Sequence, residues 1–314
     1  MKLARSYKKF GLHVQPNNDI TFMEWCPGAK GMRIFGDFNA WNRGEFFCEK
    51  NDFGCFCITL KALEDGTPRI KHKMKYKIHI EGADGSWMDR NSAWATMQVQ
   101  GDTLFDCMFW NPPKEEQHVW KHKKPVAPIR KQGDRIYESH VGMAQEGGKV
   151  SSYKEYADHI LDRVKKAGYN VIQLMAIQEH SYYGSFGYHV TGFFGISSRS
   201  GTPDDFKYLV DKAHSMGIKI IIDLVHSHAS NNVFDGINKF DGTDHSFSHG
   251  GARGYHSGWD SMLFDYSKYE VKRFLLSNLA WFLDEYNVDG FRFDAVTSIL
   301  YQHHGIGFGF TGNY

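Results

Sequence analysis

From Asp134 to Val296 one pattern recurs, and it limits the fold more than any other feature of the chain. A short apolar run is followed by an amphipathic stretch with a start signal. The apolar runs are Arg135–Val141, Asn170–Ile177, Ile218–Val225 and Val288–Val296. After the first, Ser152 and Glu155 form a capping box ahead of the stripe Ala157, Ile160, Leu161, Val164, which Gly168 closes. After the second, Thr202 caps a helix with Pro203 at its first position and Asp205 as the reciprocal partner. Its stripe is Phe206, Leu209, Val210, Ala213, closed by Gly217. After the third, Ser267 and Glu270 make another box before Val271, Phe274, Leu275 and Asn278. Buried strands joined by helices lie parallel in one sheet. Four strands and three helices fit the first half of a (β/α)8 barrel, a fold that takes about 250 residues. The tail from Thr297 has no room for four more units. Half a barrel has two raw edges, which proteins avoid, so the chain is expected to be a fragment. A small open α/β sheet is the alternative that the pattern leaves open.

Upstream the texture differs. Residues 1–110 carry short runs such as Ile20–Trp25, Gly31–Phe35, Phe56–Leu60 and Met74–Ile80, separated by Gly, Asn, Asp and Pro clusters. They are expected to form a β-sandwich. The turn Gly36–Asn42 carries Trp41, either a packed corner or a platform for a sugar ring. Residues 111–133 hold four prolines among Lys and His and are expected to be a linker; 134–314 would be the barrel half. The formal net charge of +1 argues against a nucleic-acid partner. No apolar run approaches the roughly 18 residues of a membrane span, and the N-terminus lacks a signal peptide's apolar core. Cys26, Cys48, Cys55, Cys57 and Cys107 have no metal-site spacing, and reduced thiols in the cytoplasm are expected. Eight Trp and sixteen Tyr in a near-neutral chain point to sugar-stacking surfaces, although large cores also consume aromatics.

Chemistry in such a barrel sits beyond the C-terminal ends of the strands. In Val288–Val296, alternation puts Phe291 and Phe293 on one face of a short buried strand and Gly290, Arg292 and Asp294 on the other. The Arg keeps the Asp ionised and aims it, as a nucleophilic carboxylate requires. A structural ion pair is the plainer account. Other strand ends supply Tyr137 to His140, Gln178 to His189 with Tyr188 among them, and Asp223, His226 and His228. Taken singly, Asp223 reads as a satisfied buried carboxylate, His228 as a loop cap and Tyr188 as core. Their common rim position favours a site. His226 and His228 also form a His-x-His pair of the kind that binds metal, but no carboxylate or lysine ligand set stands nearby. No metal and no cofactor is expected.

Asp223-Leu-Val-His-Ser-His228 and Gly290-Phe-Arg-Phe-Asp294 resemble the first two conserved regions of the α-amylase clan, family 13 glycoside hydrolases. Tyr137-Glu-Ser-His-Val-Gly142, Gln173-Leu-Met-Ala-Ile-Gln-Glu-His180, Ser185-Phe-Gly-Tyr-His189, Phe240-Asp-Gly-Thr-Asp244 and Leu300-Tyr-Gln-His-His304 resemble 1,4-α-glucan (glycogen) branching enzymes. Gly36-Asp-Phe-Asn-Ala-Trp-Asn42 is similar to the signature of their N-terminal family 48 carbohydrate-binding module.

The resemblance implies that Asp294 is the nucleophile, forming a covalent glycosyl-enzyme with an α-1,4-linked glucose, and that Arg292 holds it charged. It implies that Asp223 and His228 hydrogen-bond the sugar at the cleaved bond and that Tyr188 stacks on it. The acceptor would be a glucan 6-hydroxyl, giving α-1,6 branches in glycogen or a similar glucan. A retaining mechanism needs a second carboxyl group as acid. In the family this is a Glu after the fifth strand, absent here, and Glu138 and Glu179 are structural in the family pattern. The chain alone is therefore expected to be catalytically dead and poorly soluble. The alternatives are a non-catalytic glucan-binding protein with a vestigial half barrel, and a debranching enzyme of the same clan.

Overall fold

Ile20 and Phe22 on one strand, and Tyr76, Ile78 and Ile80 on another, fall at every second position and are buried, and two antiparallel sheets close over those faces. The structure, a computed structural model, describes residues 3–125 and 133–308. One sheet runs in the order Gly11–Val14, Ile20–Trp25, Cys55–Leu60, Glu49–Lys50. The other runs Phe46–Phe47, Gly31–Gly36, Lys75–Glu81, Phe105–Met108, Gln98–Gln100, with Trp87–Arg90 also on Lys75–Glu81. Ile20, Phe22, Ile34, Tyr76, Ile78 and Ile80 fill the space between them.

The expected linker has no helix or strand among its described residues, yet it does not cross open solvent. Its His118, Lys121 and His122 amides are taken by Asp204 and Asp211 of the helix Pro203–Ser215, at 2.9–3.3 Å. The rest of that segment, 126–132, lies outside the described residues.

Beyond it, Ile136–Ser139, Val171–Leu174, Lys219–Leu224 and Gly290–Phe293 form a parallel sheet in chain order. Helices Tyr153–His159 and Leu161–Lys166, then Pro203–Ser215, then Tyr269–Glu285 connect them. The capping boxes at Ser152 and Thr202 are formed in full. The one expected at Ser267 is not. Lys268 stands at that N-cap without a side-chain bond, because the Ser267 amide and hydroxyl are both given to Asp265 (3.1 and 2.6 Å). The fourth strand also departs from expectation. It is not fully buried: Phe293 is 38% exposed, since among the described residues only the third strand pairs with it.

The polar excursion after the third strand has more order than its composition predicts. His228–Ser230, Ser261–Leu263 and Tyr255–His256 make a small antiparallel sheet. Residues 236–241 of this excursion dock onto the sandwich. Arg90, 1% exposed, donates to the carbonyls of Gly236, Asn238 and Lys239 at 2.7–3.1 Å. The Gly28 amide donates to Asp241 at 2.8 Å. Trp94 stacks between Phe10 and Phe194, so sandwich and barrel share one apolar core. No described helix is long and apolar enough to cross a membrane.

Candidate active site

Parallel pairing sets Asp223 of the third strand level with Arg292 of the fourth. From that register follows the central contact of the site. Arg292 Nη1 donates to Asp223 Oδ2 at 3.0 Å and to Asp294 Oδ1 at 2.9 Å. The Asp294 amide, just past the strand, is tied to the Leu224 carbonyl at 3.0 Å. Asp223 is fully buried and also accepts the Tyr188 hydroxyl at 2.7 Å. Burial pushes the Asp223 carboxyl above its ordinary range, against the pull of the Tyr188 hydrogen bond and the Arg292 charge. Its Oδ1 is buried without a hydrogen-bond partner among the described residues. Asp294 is different: its side chain keeps 22% exposure, with Oδ1 held by the guanidinium.

Tyr188 reaches this network through a tightly specified loop. The turn Tyr183–Ser185 leads through Phe186 (φ 54°) and Gly187 (φ 90°), both left-handed. A Cβ on Gly187 would lie 1.9 Å from the Ala176 carbonyl oxygen, so only glycine passes there. His228 braces the loop by donating from Nε2 to the Tyr188 carbonyl (2.8 Å) and accepts the Ser227 hydroxyl on Nδ1 (2.8 Å). Both ring nitrogens are thereby used by a neutral imidazole, and burial lowers the His228 pKa.

Asp294, Arg292, Asp223, Tyr188 and His228 thus form one connected group, as sequence reasoning expects. His226 turns away to Asn278 Oδ1 at 2.9 Å, so the two imidazoles of the His-x-His pair serve different elements. Among the described residues no three His, Cys, Asp or Glu side chains gather as a metal site would need. Glu179 is fully buried, accepts the Ser198 and His180 amides (2.8 and 3.1 Å), and is pushed by burial up to about 7. Glu138 accepts from Gln173 at 3.1 Å. Trp41 belongs to the sandwich turn, half-buried, its indole N–H on Asp37 (2.9 Å) and its ring edge-on to Phe35. Sequence reasoning missed Ser227 and Gly187. Only the Ser-Phe-Gly-Tyr run signalled Gly187, because a close backbone approach leaves no other trace in one sequence.

Comparison with known proteins bears on the fold and the relatives of the chain. Residues 9–95 match the family Carbohydrate-binding module 48 (Isoamylase N-terminal domain), and residues 157–250 match Alpha amylase, catalytic domain. The 1,4-alpha-glucan-branching enzyme of Yarrowia lipolytica is 52% identical over 316 residues, which cover 100% of this chain and 45% of the relative. That of Solanum tuberosum is 50% identical over 320 residues, covering 100% of this chain and 37% of the relative. The chain therefore spans less than half the length of these relatives. Among solved structures, the catalytic module of the multi-modular glycogen-degrading pneumococcal virulence factor SpuA superposes with a TM-score of 0.71 at 18% identity. That match covers 95% of this chain and 49% of the other, and it speaks for the fold alone. The chain is similar along its whole length to 1,4-alpha-glucan-branching enzymes, and it joins a segment matching carbohydrate-binding module 48 to one matching part of an alpha-amylase catalytic domain.

Proposed function

We propose that this chain carries the nucleophile side of a retaining glucan transferase, one that cleaves α-1,4-linked glucan and passes the chain to a 6-hydroxyl to form an α-1,6 branch. Asp294 attacks the anomeric carbon, and the bond to the leaving glucan breaks as the glycosyl ester forms. Arg292 orients that carboxylate, with Asp223 anchoring the guanidinium from behind. Asp223 faces the glucose unit at the cleaved bond and Tyr188 stacks on its ring; His228, which the resemblance casts as a hydroxyl ligand, has both ring nitrogens taken and instead braces the Tyr188 loop. Trp41, on the sandwich, is a secondary contact for the same polymer. The acid that protonates the leaving oxygen in related enzymes follows the fifth strand, in the share of the relatives that this chain does not span. Partner and substrate are a glycogen-like α-glucan. Five unpaired cysteines with thiols raised by burial suit a reducing compartment, the cytoplasm.

The observation that carries this reading is the single guanidinium nitrogen bridging two carboxylates at the ends of neighbouring strands, one of them partly exposed. A 5-fluoro-α-maltosyl fluoride tests it in the chain as it stands, because fluoride leaves without help from an acid. Mass spectrometry is expected to find a maltosyl adduct on the peptide containing Asp294, and none in Asp294→Asn. Labelling that survives Asp294→Asn, or no labelling at all, would overturn the assignment.

A further inference from the structure

The roles assigned so far leave an aromatic surface beside the site unused. Trp259 sits between two strands of the small sheet, Tyr255–His256 and Ser261–Leu263. Its indole lies flat on the His256 imidazole, with ring centroids 3.8 Å apart and planes at 7°, and meets His228 at 5.1 Å and 44°. Despite both contacts it remains 37% exposed. A tryptophan at the tip of a hairpin forgoes part of the burial that makes it worth carrying.

The turn is nevertheless built to hold it. Asp260 takes a left-handed φ of 47°, which a non-glycine residue seldom adopts. Its carboxylate accepts the Tyr255 hydroxyl at 2.8 Å and the Asn231 amide group at 3.0 Å. The Trp259 amide donates to His256 at 3.2 Å, and the Ser261 hydroxyl returns to the Trp259 carbonyl at 2.8 Å. At Gly258 a Cβ would lie 3.3 Å from the His256 ring, so the ring stack crowds that position as well. Strain and hydrogen bonds are thus arranged to fix an exposed ring, and His228 connects that ring to Tyr188.

We propose that Trp259 is a stacking platform for a second glucose ring of the bound α-glucan, neighbouring the ring stacked on Tyr188. A pyranose presents a face of C–H bonds to an indole and keeps its hydroxyls at the rim for water or protein. Burial lowers the pKa of both His256 and His228, so the platform is uncharged near neutral pH and suits a neutral sugar. The inference rests on the reading of the cleft as a glucan site and extends it by one subsite.

Fluorine NMR of the chain labelled with 5-fluorotryptophan tests it, with the Trp259 resonance assigned by its loss in Trp259→Phe. Titration with maltoheptaose is expected to shift that resonance saturably, while the Trp41 resonance separately reports sugar on the sandwich. Trp259→Ala should weaken binding at the cleft about tenfold, the upper range of one aromatic contact, and Trp259→Phe should recover most of it. If Tyr188→Ala loses binding while Trp259→Ala does not, and the Trp259 resonance stays still, the platform is refuted and the cleft stands. If Tyr188→Ala and Asp223→Asn also bind as wild type does, the glucan reading of the cleft fails as well.

Discussion

One guanidinium nitrogen serves two carboxylates in this site, which decides what substitutions there will do. A lysine at 292 keeps the charge but loses the rigid planar fork, so it cannot hold both Asp223 and Asp294 in register. Arg292→Lys is expected to slow fluoride-driven labelling of Asp294 by about tenfold or more, measured as the rate of adduct formation. Elsewhere a buried carboxyl sets a pH dependence. Glu24 lies fully buried in the sandwich and accepts the Ser92 hydroxyl (2.6 Å) and the Ala93 amide (3.1 Å). Burial still pushes its pKa from 4.5 to about 8. The folded chain therefore keeps a proton that the unfolded chain has released over that window. Its contribution to stability is complete below the unfolded value and lost as pH rises through the folded one. Wild type should melt at a lower temperature at about pH 8 than at about pH 5 for this reason, and Glu24→Gln should narrow the difference. An unchanged difference in the variant would mean that Glu24 is ionised throughout.

Helix starts illustrate what a local pattern can and cannot settle. Ser152 and Ser267 carry the same Ser-x-x-Glu signature, yet only Ser152 caps its helix. The difference is Asp265, two residues before Ser267, whose carboxylate takes both the hydroxyl and the amide. Urea denaturation is expected to find Ser152→Ala less stable by about 1 kcal/mol. Ser267→Ala should lose no cap; only its exposed contact with Asp265 goes, a cost of about 0.5 kcal/mol. Gly187 makes the converse point, since its necessity comes from the Ala176 carbonyl, which only the folding of the loop brings against it. Gly187→Ala must push the Tyr188 loop off Ala176. It should weaken maltoheptaose binding about as much as Tyr188→Ala, read by the same fluorine titration.

At the scale of the molecule, sandwich and barrel are fused rather than tethered. Arg90 hands a buried charge to three carbonyls of the excursion that leads from His228, and burial pulls its pKa down only to about 10, so it stays protonated. Removing it takes the Arg90 donor from the buried Gly236 and Asn238 carbonyls, while that of Lys239 keeps the Gly242 amide. Arg90→Ala is expected to cost about 3 kcal/mol or more and to speed amide exchange across residues 236–241, measured by urea unfolding and hydrogen exchange. Wild-type exchange in that segment would argue that the docking carries no load. The same contacts mark the limit of a linear reading. Turn-punctuated short apolar runs, capping boxes at Ser152 and Thr202, and apolar runs at Ile218–Val225 and Val288–Val296 are local, so they point to a sandwich followed by a parallel sheet joined by helices. Because strand ends in a parallel sheet share a rim, they also place Tyr188, Asp223, His228, Arg292 and Asp294 near one another. Only the tertiary structure decides that Arg292 is shared between two carboxylates, that His226 parts from His228, and that a polar excursion becomes a sheet carrying Trp259. Register, long-range packing and competition for a hydrogen-bond donor depend on partners far away along the chain, and no window of sequence contains them.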